Sequence, residues 1–329
     1  MSNRKVAILG AGSWGTAVAI ALAEQGHTVI LWTNEPSDAQ NMQQKRCNER
    51  YLPQIAFPPS LSCSDSLQDC VRQAELVLIA VPSHAFADVL NMIPQPKQGL
   101  AWLTKGVDPS SHQILSTLVS QRWGSTYPTA VISGPSFARE VALGLPTALV
   151  VASQHPTYQQ ELRDLLHSTS LRVYLSDDLV GVQLCGAVKN ILAIACGISD
   201  GIGYGANAKA ALITRGLAEM SHLLHAYHAR PEETCLGLAG IGDLVLTCTD
   251  NQSRNRRFGL LLGQGVALEV AEKEVGQVVE GKHNAAQIHA IATEHQIDMP
   301  ICAEVYAVLS GHRSPKEAAE QLMTRPLKK

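Results

Sequence analysis

The stretch KVAILGAGSWG, residues 5–15, decides the fold. An apolar run typical of a strand, Lys5–Leu9, passes directly into glycines spaced as G-x-G-x-x-G at the start of a helical stretch. In such a strand–turn–helix unit, Gly10 permits the tight turn, Gly12 lets backbone approach a pyrophosphate, and Gly15 lets helix and strand pack closely. The helix start offers N–H groups and a positive dipole end to the anion. The stretch predicts a dinucleotide site, the alternative being a purely structural glycine turn.

Further strands alternate with helical segments through the first half of the chain. Because strands separated by helices form parallel sheets covered on both faces, we expect an α/β domain with a Rossmann-type doubly wound sheet. The predicted strands are Lys5–Leu9, His27–Trp32, Glu75–Val81, Gly99–Thr104, Ala130–Ser133, Leu145–Ala152 and Leu171–Tyr174.

The character of the sequence changes near Ser176, after which helical patterns of Ala, Leu and Gly dominate. We therefore predict a dinucleotide-binding domain over residues 1–176 and an all-α substrate and catalytic domain over residues 177–329. The glycine-rich stretch Gly197–Gly205 is interpreted as a helix break on the substrate side. The predicted helices are Asp177–Gly197, Asn207–Ala229, Arg256–Leu262, Ala285–His295, Ile301–Leu309 and Pro315–Met323.

Composition favours a globular enzyme. The 329 residues are 46% hydrophobic and 17% charged, and the net charge of -3 lacks the basic excess of a nucleic-acid partner. The N-terminal apolar run is short and enters a glycine turn, which predicts a strand and not a secretory signal. The most apolar segment, Leu179 to Ser199, is interrupted by Gln183, Lys189 and Asn190, so we predict a buried helix and no integral membrane segment.

Cysteines and histidines predict neither a disulfide framework nor a metal site. The eight cysteines contain no CxxC pair, and we interpret them as reduced core thiols of a cytoplasmic chain. His222, His225 and His228 recur at three-residue steps, which drift around a helix and do not converge as tetrahedral zinc ligands require.

The residues after the second strand bear on the choice of cofactor. An acid at the strand end would bind the ribose hydroxyls of NAD, whereas an arginine would favour the phosphate of NADP. The sequence offers Trp32-Thr33-Asn34-Glu35, in which Glu35 can reach a ribose and Asn34 can accommodate a phosphate. The sequence therefore predicts NAD or NADP without choosing between them.

A single lysine marks the first long predicted helix. Lys189 is its only charged residue between Asp178 and Asp200, and its neighbours are apolar. Burial lowers the pKa of a lysine, which suits it to take the hydroxyl proton while hydride leaves an alcohol carbon. The alternative is a lysine whose stem snorkels to the surface.

Three other groups of residues can build a site around an anion. Asp243 lies between glycines in an apolar setting and can hold Lys189, or can simply cap a helix. The stretch NQSRNRRFG, residues 251–259, carries three arginines that suit a phosphate ester, or is a solvated basic loop. Lys105 and the segment 134–138 follow strand ends, where ligands bind in open α/β sheets, or serve as loop residues.

Taken in order, these motifs resemble the bacterial NAD(P)-dependent glycerol-3-phosphate dehydrogenases over nearly the whole chain. The most specific stretches are GAVKNILAIACGISDGIGYGANAKAALITRGLAEM, residues 186–220, and GLAGIGDLVLTCTDNQSRNRRFG, residues 237–259. The resemblance implies reversible hydride transfer between NAD(P)H and dihydroxyacetone phosphate, giving sn-glycerol 3-phosphate for glycerophospholipids. It also implies a homodimer with the helical domain as the interface.

The resemblance assigns roles to individual residues. Lys189 is implied to donate and accept the proton, with Lys105 and Asp243 as catalytic partners. Asn34 stands where relatives that prefer NADP often carry a basic residue. The residues implied to contact substrate are Lys105, Gly134, Ser136, Lys189, Asp243, Thr247, Ser253, Arg254 and Asn255. The predicted cofactor-binding residues are Gly10, Gly12, Ser13, Trp14, Gly15, Asn34, Lys105, Ala138, Arg254, Val278 and Glu280.

Two rival functions remain open from the sequence. One is a related dehydrogenase acting on a β-hydroxy acid or a sugar-acid phosphate, which needs a cationic site for a carboxylate. The other is a non-catalytic NAD(H)-sensing module, which would bind cofactor without turnover. The pairing of Lys189 and Lys105 with an anion site favours an enzyme.

Overall fold

The strand, turn and helix expected around the glycines are present in the computed structural model, which describes residues 3–324. β1 (Lys5–Leu9) leads through residues 10–12 into α1 (Ser13–Glu24), and the last four residues of β1 are buried. The described residues form two compact units, one of residues 3–104 with 115–179 and one of 105–114 with 180–324. The proposed division at residues 176 and 177 stays a prediction, and its two outer ends lie outside the described residues.

The first unit is built on an eight-stranded sheet with the order β10-β9-β8-β7-β6-β1-β2-β5. β1 lies between β2 and β6 and pairs parallel with both. This arrangement confirms the predicted Rossmann-type fold. The strands after β1 are β2 (Thr28–Trp32), β3 (Cys47–Asn48), β4 (Leu52–Ala56), β5 (Leu61–Ser64), β6 (Leu76–Ile79), β7 (Leu100–Trp102), β8 (Thr129–Ser133), β9 (Thr147–Ala152) and β10 (Leu171–Ser176).

The predicted parallel sheet has one antiparallel junction. β8 and β9 pair antiparallel, whereas every other pair in the large sheet is parallel. The segment between them holds a single helix, α6 (Ala138–Ala142), of five residues. A helix of that length spans about 8 Å, whereas a five-residue strand spans about 16 Å. The connection therefore lacks the long helical crossover that usually joins parallel strands, and β9 runs back beside β8.

Sequence reasoning did not predict β3, β4 and β5. These strands are two to five residues long, and β4 contains Pro53, which weakens a strand pattern. β3 and β4 pair as a separate antiparallel hairpin, residues 47–56. The other helices of the first unit are α2 (Pro36–Lys45), α3 (Leu67–Gln73), α4 (Ser83–Met92), α5 (Leu115–Trp123) and α7 (Pro156–Leu166).

The second unit is helical, as predicted, around a core of buried Leu, Ile, Val, Ala and Cys. A π-helical segment, Leu238–Gly242, interrupts the α-helices. The α-helices are α8 (Leu179–Ile202), α9 (Ala206–Ala226), α10 (Pro231–Thr234), α11 (Asp243–Thr249), α12 (Arg254–Gly263), α13 (Leu268–Val275), α14 (Glu280–Glu294), α15 (Pro300–Leu309) and α16 (Pro315–Thr324).

The glycine-rich stretch 197–205 is not a break over most of its length. α8 continues to Ile202 and ends before Gly203, whose φ is +97°. Gly197 and Gly201 instead allow α8 to pack closely on α12. A Cβ at Gly197 would collide with the carbonyl oxygen of Arg256, and one at Gly259 would collide with that of Ile194. Glycines on both helices therefore bring the start of α12 close to α8, which carries Lys189.

The predicted buried helix at Leu179 to Ser199 is confirmed as part of α8. Within residues 3–324, α8 alone has the length and mean hydropathy of a membrane span, and 94% of its most apolar window is buried inside the protein. That burial is typical of a core helix.

The cysteines are all free thiols, and six of the eight are buried. The expectation that all lie in the core is wrong for Cys47 and Cys63, which are partly exposed.

Candidate functional site

The glycine-rich turn of the first unit has the shape of a pyrophosphate cradle. Gly10 has a φ of +128°, and a Cβ there would lie 2.7 Å from the backbone of Ala80. A Cβ at Gly15 would collide with the carbonyl oxygen of Gly10, whereas one at Gly12 would meet no atom within 4 Å. Packing therefore requires the outer glycines, while open space lies over Gly12, the N-cap of α1. These residues fit a dinucleotide, whose phosphates would lie at this helix start.

The buried side chain of Asn48, which the sequence did not single out, forms hydrogen bonds to this turn. Asn48 on β3 is 3% exposed, and its Nδ2 donates to the carbonyl oxygen of Ala11 and to Oγ1 of Thr16, both at 2.9 Å. Its Oδ1 accepts from the backbone N–H of Tyr51 at 3.2 Å. The only signal in the sequence was an asparagine in CNERYLP, residues 47–53, where no strand was expected.

The other predicted residues of the first unit lie at strand and helix ends. Asn34 is exposed directly after β2 and the buried Thr33. Trp14 is partly exposed, but its indole Nε1 is buried and has no hydrogen-bond partner among residues 3–324. Gly134 follows β8 with a φ of +125°, and the hydroxyl of Ser136 donates to its carbonyl oxygen at 2.9 Å. Ala138 begins α6.

In the second unit, two lysines share one buried carboxylate. Nζ of Lys189 donates to Oδ1 of Asp243 at 2.5 Å, and Nζ of Lys105 donates to Oδ2 at 2.7 Å. The side chains of Lys189 and Asp243 are 8% and 1% exposed, and that of Lys105 is 16% exposed. The structure thus brings together the three residues predicted to be catalytic. It excludes a Lys189 that snorkels to the surface.

Thr247 completes the cluster one helical turn after Asp243. Its Oγ1 accepts a hydrogen bond from Nζ of Lys189 at 3.0 Å. The same hydroxyl donates to the backbone carbonyl oxygen of Asp243 at 2.6 Å. Asp243 is the first residue of α11 and makes no side-chain cap, so the alternative of a simple N-cap is wrong. The start of α11 therefore holds the Lys189 ammonium through two oxygens.

Burial and charge act in opposite directions in this cluster. Burial lowers the pKa of Lys189 to about 7, although the nearby Asp243 carboxylate raises it, and the positive charge of Lys105 lowers it further. For Asp243, burial raises the pKa, but the two ammonium groups outweigh it and hold the pKa below its usual range. The arrangement gives one ionised carboxylate and an amine that exchanges its proton near neutral pH.

The three arginines of the basic stretch have separate environments. Arg256 is buried and forms an ion pair with Asp200 of α8. Asp200 also forms an ion pair with Lys209 of α9, so this carboxylate links α8 to both α12 and α9. Arg257 is exposed. Arg254, at the start of α12, is half-buried, and its guanidinium donates to Oε1 of Gln277 at 3.1 Å. The interpretation as a solvated loop is wrong for Arg256, whereas the predicted contact of Arg254 with a phosphate stays a prediction.

Asn255 and Ser253 have structural contacts in addition to their predicted contacts with substrate. Asn255 donates from Nδ2 to Oδ1 of Asn190 at 2.9 Å and accepts from the N–H of Gly281 at 2.9 Å. Ser253 caps α12 by accepting from the N–H of Arg256. Asn190, the residue after Lys189, was missed by sequence reasoning. It links α8 to the start of α12 through Asn255.

Two family models together match most of the chain. The family model described as NAD-dependent glycerol-3-phosphate dehydrogenase N-terminus matches residues 5–159, and that described as its C-terminus matches residues 178–320. The chain belongs to the NAD-dependent glycerol-3-phosphate dehydrogenase family.

Individual relatives cover the whole chain. A glycerol-3-phosphate dehydrogenase [NAD(P)+] of Legionella pneumophila (strain Philadelphia 1) is 62% identical, over 100% of this chain and 99% of its own. The enzyme so named from Aeromonas salmonicida is 50% identical, over 97% of each chain. A crystal structure of glycerol-3-phosphate dehydrogenase from Coxiella burnetii is 47% identical with a TM-score of 0.94, covering 98% of this chain and 99% of that one.

In this member of the glycerol-3-phosphate dehydrogenase family, the predicted site residues divide between the two units. Their roles stay predictions. Val278 is exposed just before α14, and Glu280 is the first residue of that helix. The first unit holds Gly10, Gly12, Ser13, Trp14, Gly15, Asn34, Gly134, Ser136 and Ala138. The second unit holds Lys105, Lys189, Asp243, Thr247, Ser253, Arg254, Asn255, Val278 and Glu280.

Proposed function

We propose that this protein is an sn-glycerol-3-phosphate dehydrogenase [NAD(P)+], which transfers hydride reversibly between NAD(P)H and dihydroxyacetone phosphate. The observation that carries the proposal is the buried triad of Lys189, Asp243 and Lys105, in which burial lowers the pKa of Lys189 to about 7. Membership of the family, and relatives that are identical at 62% of positions and bear this enzyme's name, support the same reaction.

The lysine cluster supplies the proton chemistry of this reaction. Lys189 gives a proton to the C2 oxygen of the ketone as the alcohol forms, and takes it back in the oxidation. Lys105 adds a second positive charge that stabilises the developing alkoxide. Asp243 and Thr247 bind the Lys189 ammonium, so its direction is fixed before the substrate arrives. A bound nicotinamide supplies or accepts the hydride.

The first unit binds the cofactor in this proposal. The cradle at Gly10, Gly12 and Gly15 fits the pyrophosphate, and the N-terminal end of α1 contributes its positive dipole. Asn34 carries neither the negative charge that would exclude a 2′-phosphate nor the positive charge that would select it. Both NAD(H) and NADP(H) are therefore proposed as cofactors.

The phosphate of the substrate is assigned to Arg254, with Asn255 beside it. Arg254→Ala should raise the KM for dihydroxyacetone phosphate about 30-fold, because a charge-assisted contact with the phosphate is lost. The kcat should fall much less, although the loss of a contact that Arg254 shares with the cofactor can lower the kcat further. Steady-state kinetics at saturating NADH measures both values.

Arg257→Ala is the matched control, because Arg257 is exposed on the same helix three residues later. It should leave the KM unchanged. An equal rise of the KM in both variants would contradict the assignment and indicate a general electrostatic effect.

The wider setting of the enzyme follows from the proposed reaction. A product that is the backbone of glycerophospholipids places the enzyme in phospholipid biosynthesis. We propose a cytoplasmic homodimer that assembles through its helical domain. Sedimentation of the purified protein would measure the oligomeric state directly.

The reaction is tested by following the absorbance loss of NADH and of NADPH with dihydroxyacetone phosphate. Turnover with this substrate is expected, and a β-keto acid or a keto-acid sugar phosphate should not replace it. Turnover only with such acids would identify the related hydroxy-acid dehydrogenase instead. Cofactor binding without turnover of any substrate would identify a sensing module.

A further inference from the structure

We infer that Asn48 is a positioning residue for the cofactor, acting through the peptide between Ala11 and Gly12. The inference rests on the proposed function, because it concerns how the glycine-rich turn receives a dinucleotide. Asn48 belongs to the hairpin of residues 47–56, outside the G-x-G-x-x-G motif.

The carbonyl oxygen of Ala11 accepts the first hydrogen bond of Asn48. A trans peptide is planar, so its C=O and N–H bonds point in opposite directions. Asn48 fixes the carbonyl oxygen of Ala11 through a buried hydrogen bond of 2.9 Å. The N–H of Gly12, in the same peptide plane, must then point away from Asn48. A Cβ built on Gly12 meets no atom within 4 Å, so open space for a ligand lies at this residue.

The second donor bond of Asn48 acts on the next peptide, between Gly12 and Ser13, through Thr16. Oγ1 of Thr16 accepts from Asn48 at 2.9 Å, and the N–H of Thr16 donates to the carbonyl oxygen of Gly12 at 2.9 Å. Asn48 therefore ties the first turn of α1 and the preceding peptide to one rigid amide. Both Nδ2 protons and the Oδ1 acceptor are used, the latter by Tyr51.

This pattern of hydrogen bonds explains why residue 48 is an asparagine. An amide is the small neutral group that donates twice from one atom and accepts at another. Serine can donate only once, and alanine leaves the buried carbonyl of Ala11 without its partner. A free dinucleotide would then bind to a turn whose N–H groups are no longer held in the binding orientation.

The test uses the full-length protein and the intrinsic fluorescence of NADH and NADPH. Asn48→Ala should raise the Kd of both cofactors by the same factor, about 10-fold. The kcat at saturating cofactor should stay within about twofold, since the proton chemistry lies elsewhere. Asn48→Ser should give an intermediate Kd. Asn91→Ala, on the surface helix α4, is the matched control and should leave the Kd unchanged.

A second pair of variants separates positioning from simple loss of stability. Thr16→Val removes the second acceptor and should raise both Kd values about threefold, whereas Thr16→Ser keeps the hydroxyl and should restore them. These variants also serve if Asn48→Ala does not fold. A lower Tm with unchanged Kd values in Asn48→Ala or Thr16→Val would overturn the inference, as would a change for only one of the two cofactors.

Failure of this inference is distinguishable from failure of the proposed function. A wild-type protein that binds NADH without reducing dihydroxyacetone phosphate would overturn the proposed reaction, while the Kd values of the variants would still decide the role of Asn48. A wild-type protein that binds neither cofactor would overturn both.

Discussion

Lys189→Met should lower the kcat for reduction of dihydroxyacetone phosphate about 1000-fold, because the substitution removes the proton donor and a general acid contributes about 10²–10⁴-fold. Methionine retains most of the volume of the buried stem and leaves Asp243 paired with Lys105, so the fold should persist. The Kd of NADH should stay near the wild-type value, because Lys189 is not among the residues proposed to bind the cofactor. Stopped-flow and steady-state measurements of NADH consumption would give the kcat, and fluorescence titration the Kd.

The pH dependence provides a second readout for Lys189. Ketone reduction consumes a proton, so it requires the ammonium form of Lys189, and that form is depleted as the pH rises through about 7. The reduction rate should therefore fall above neutral pH, while alcohol oxidation, which needs the neutral amine, should rise. We call this change of rate with pH the proton-transfer limb. The residual activity of Lys189→Met should lack it.

Lys273→Met is the control for these measurements, because Lys273 is an exposed lysine of the same unit. It should change neither the kcat nor the pH profile. Normal turnover by Lys189→Met would show that another group carries the proton and would remove the basis of the mechanism.

The sequence predicted the fold well where local patterns decide it. The glycine spacing after Lys5–Leu9 predicted the Rossmann-type unit because each glycine answers a local steric demand. The sequence did not reveal the antiparallel direction of β9, because its pattern did not show that the helix between β8 and β9 has just five residues. The hairpin of residues 47–56 was missed because its strands are short and include a proline.

The candidate site was predictable to a similar degree. A lone lysine in the apolar pattern of α8 indicated an unusual environment for Lys189. The sequence offered Asp243, 54 positions later, either as a partner of Lys189 or as a helix cap, and the family resemblance favoured the pairing that the structure shows. Nor did it separate the structural Arg256 from the half-buried Arg254, because their difference arises from the packing of α12 on α8.

Asp243→Asn should destabilise the protein by about 3–5 kcal/mol, because it removes the carboxylate from two ammonium groups that are largely buried. Asparagine has nearly the same shape, so the change isolates charge from packing. The free energy of unfolding, measured by urea titration, gives this effect. The double variant Asp243→Asn with Lys105→Met should regain part of the loss, since one of the two unpaired charges is also removed.

The same substitution should move the proton-transfer limb of the enzyme. Asp243 raises the pKa of Lys189, so its neutralisation should lower that pKa further, while the repulsion by Lys105 remains. The limb of the reduction rate should shift to lower pH, and the kcat at pH 7 should fall accordingly. A shift of one pKa unit corresponds to about 1.4 kcal/mol of lost attraction.

Asp200→Asn is the matched control, because Asp200 also binds two cations in the second unit, Arg256 and Lys209. It should lower the stability without moving the limb. If Asp243→Asn and Asp200→Asn had equal effects on stability and neither moved the limb, Asp243 would act as a structural ion-pair partner alone. If the limb moves only for Asp243→Asn, the Asp243 carboxylate sets the pKa of Lys189.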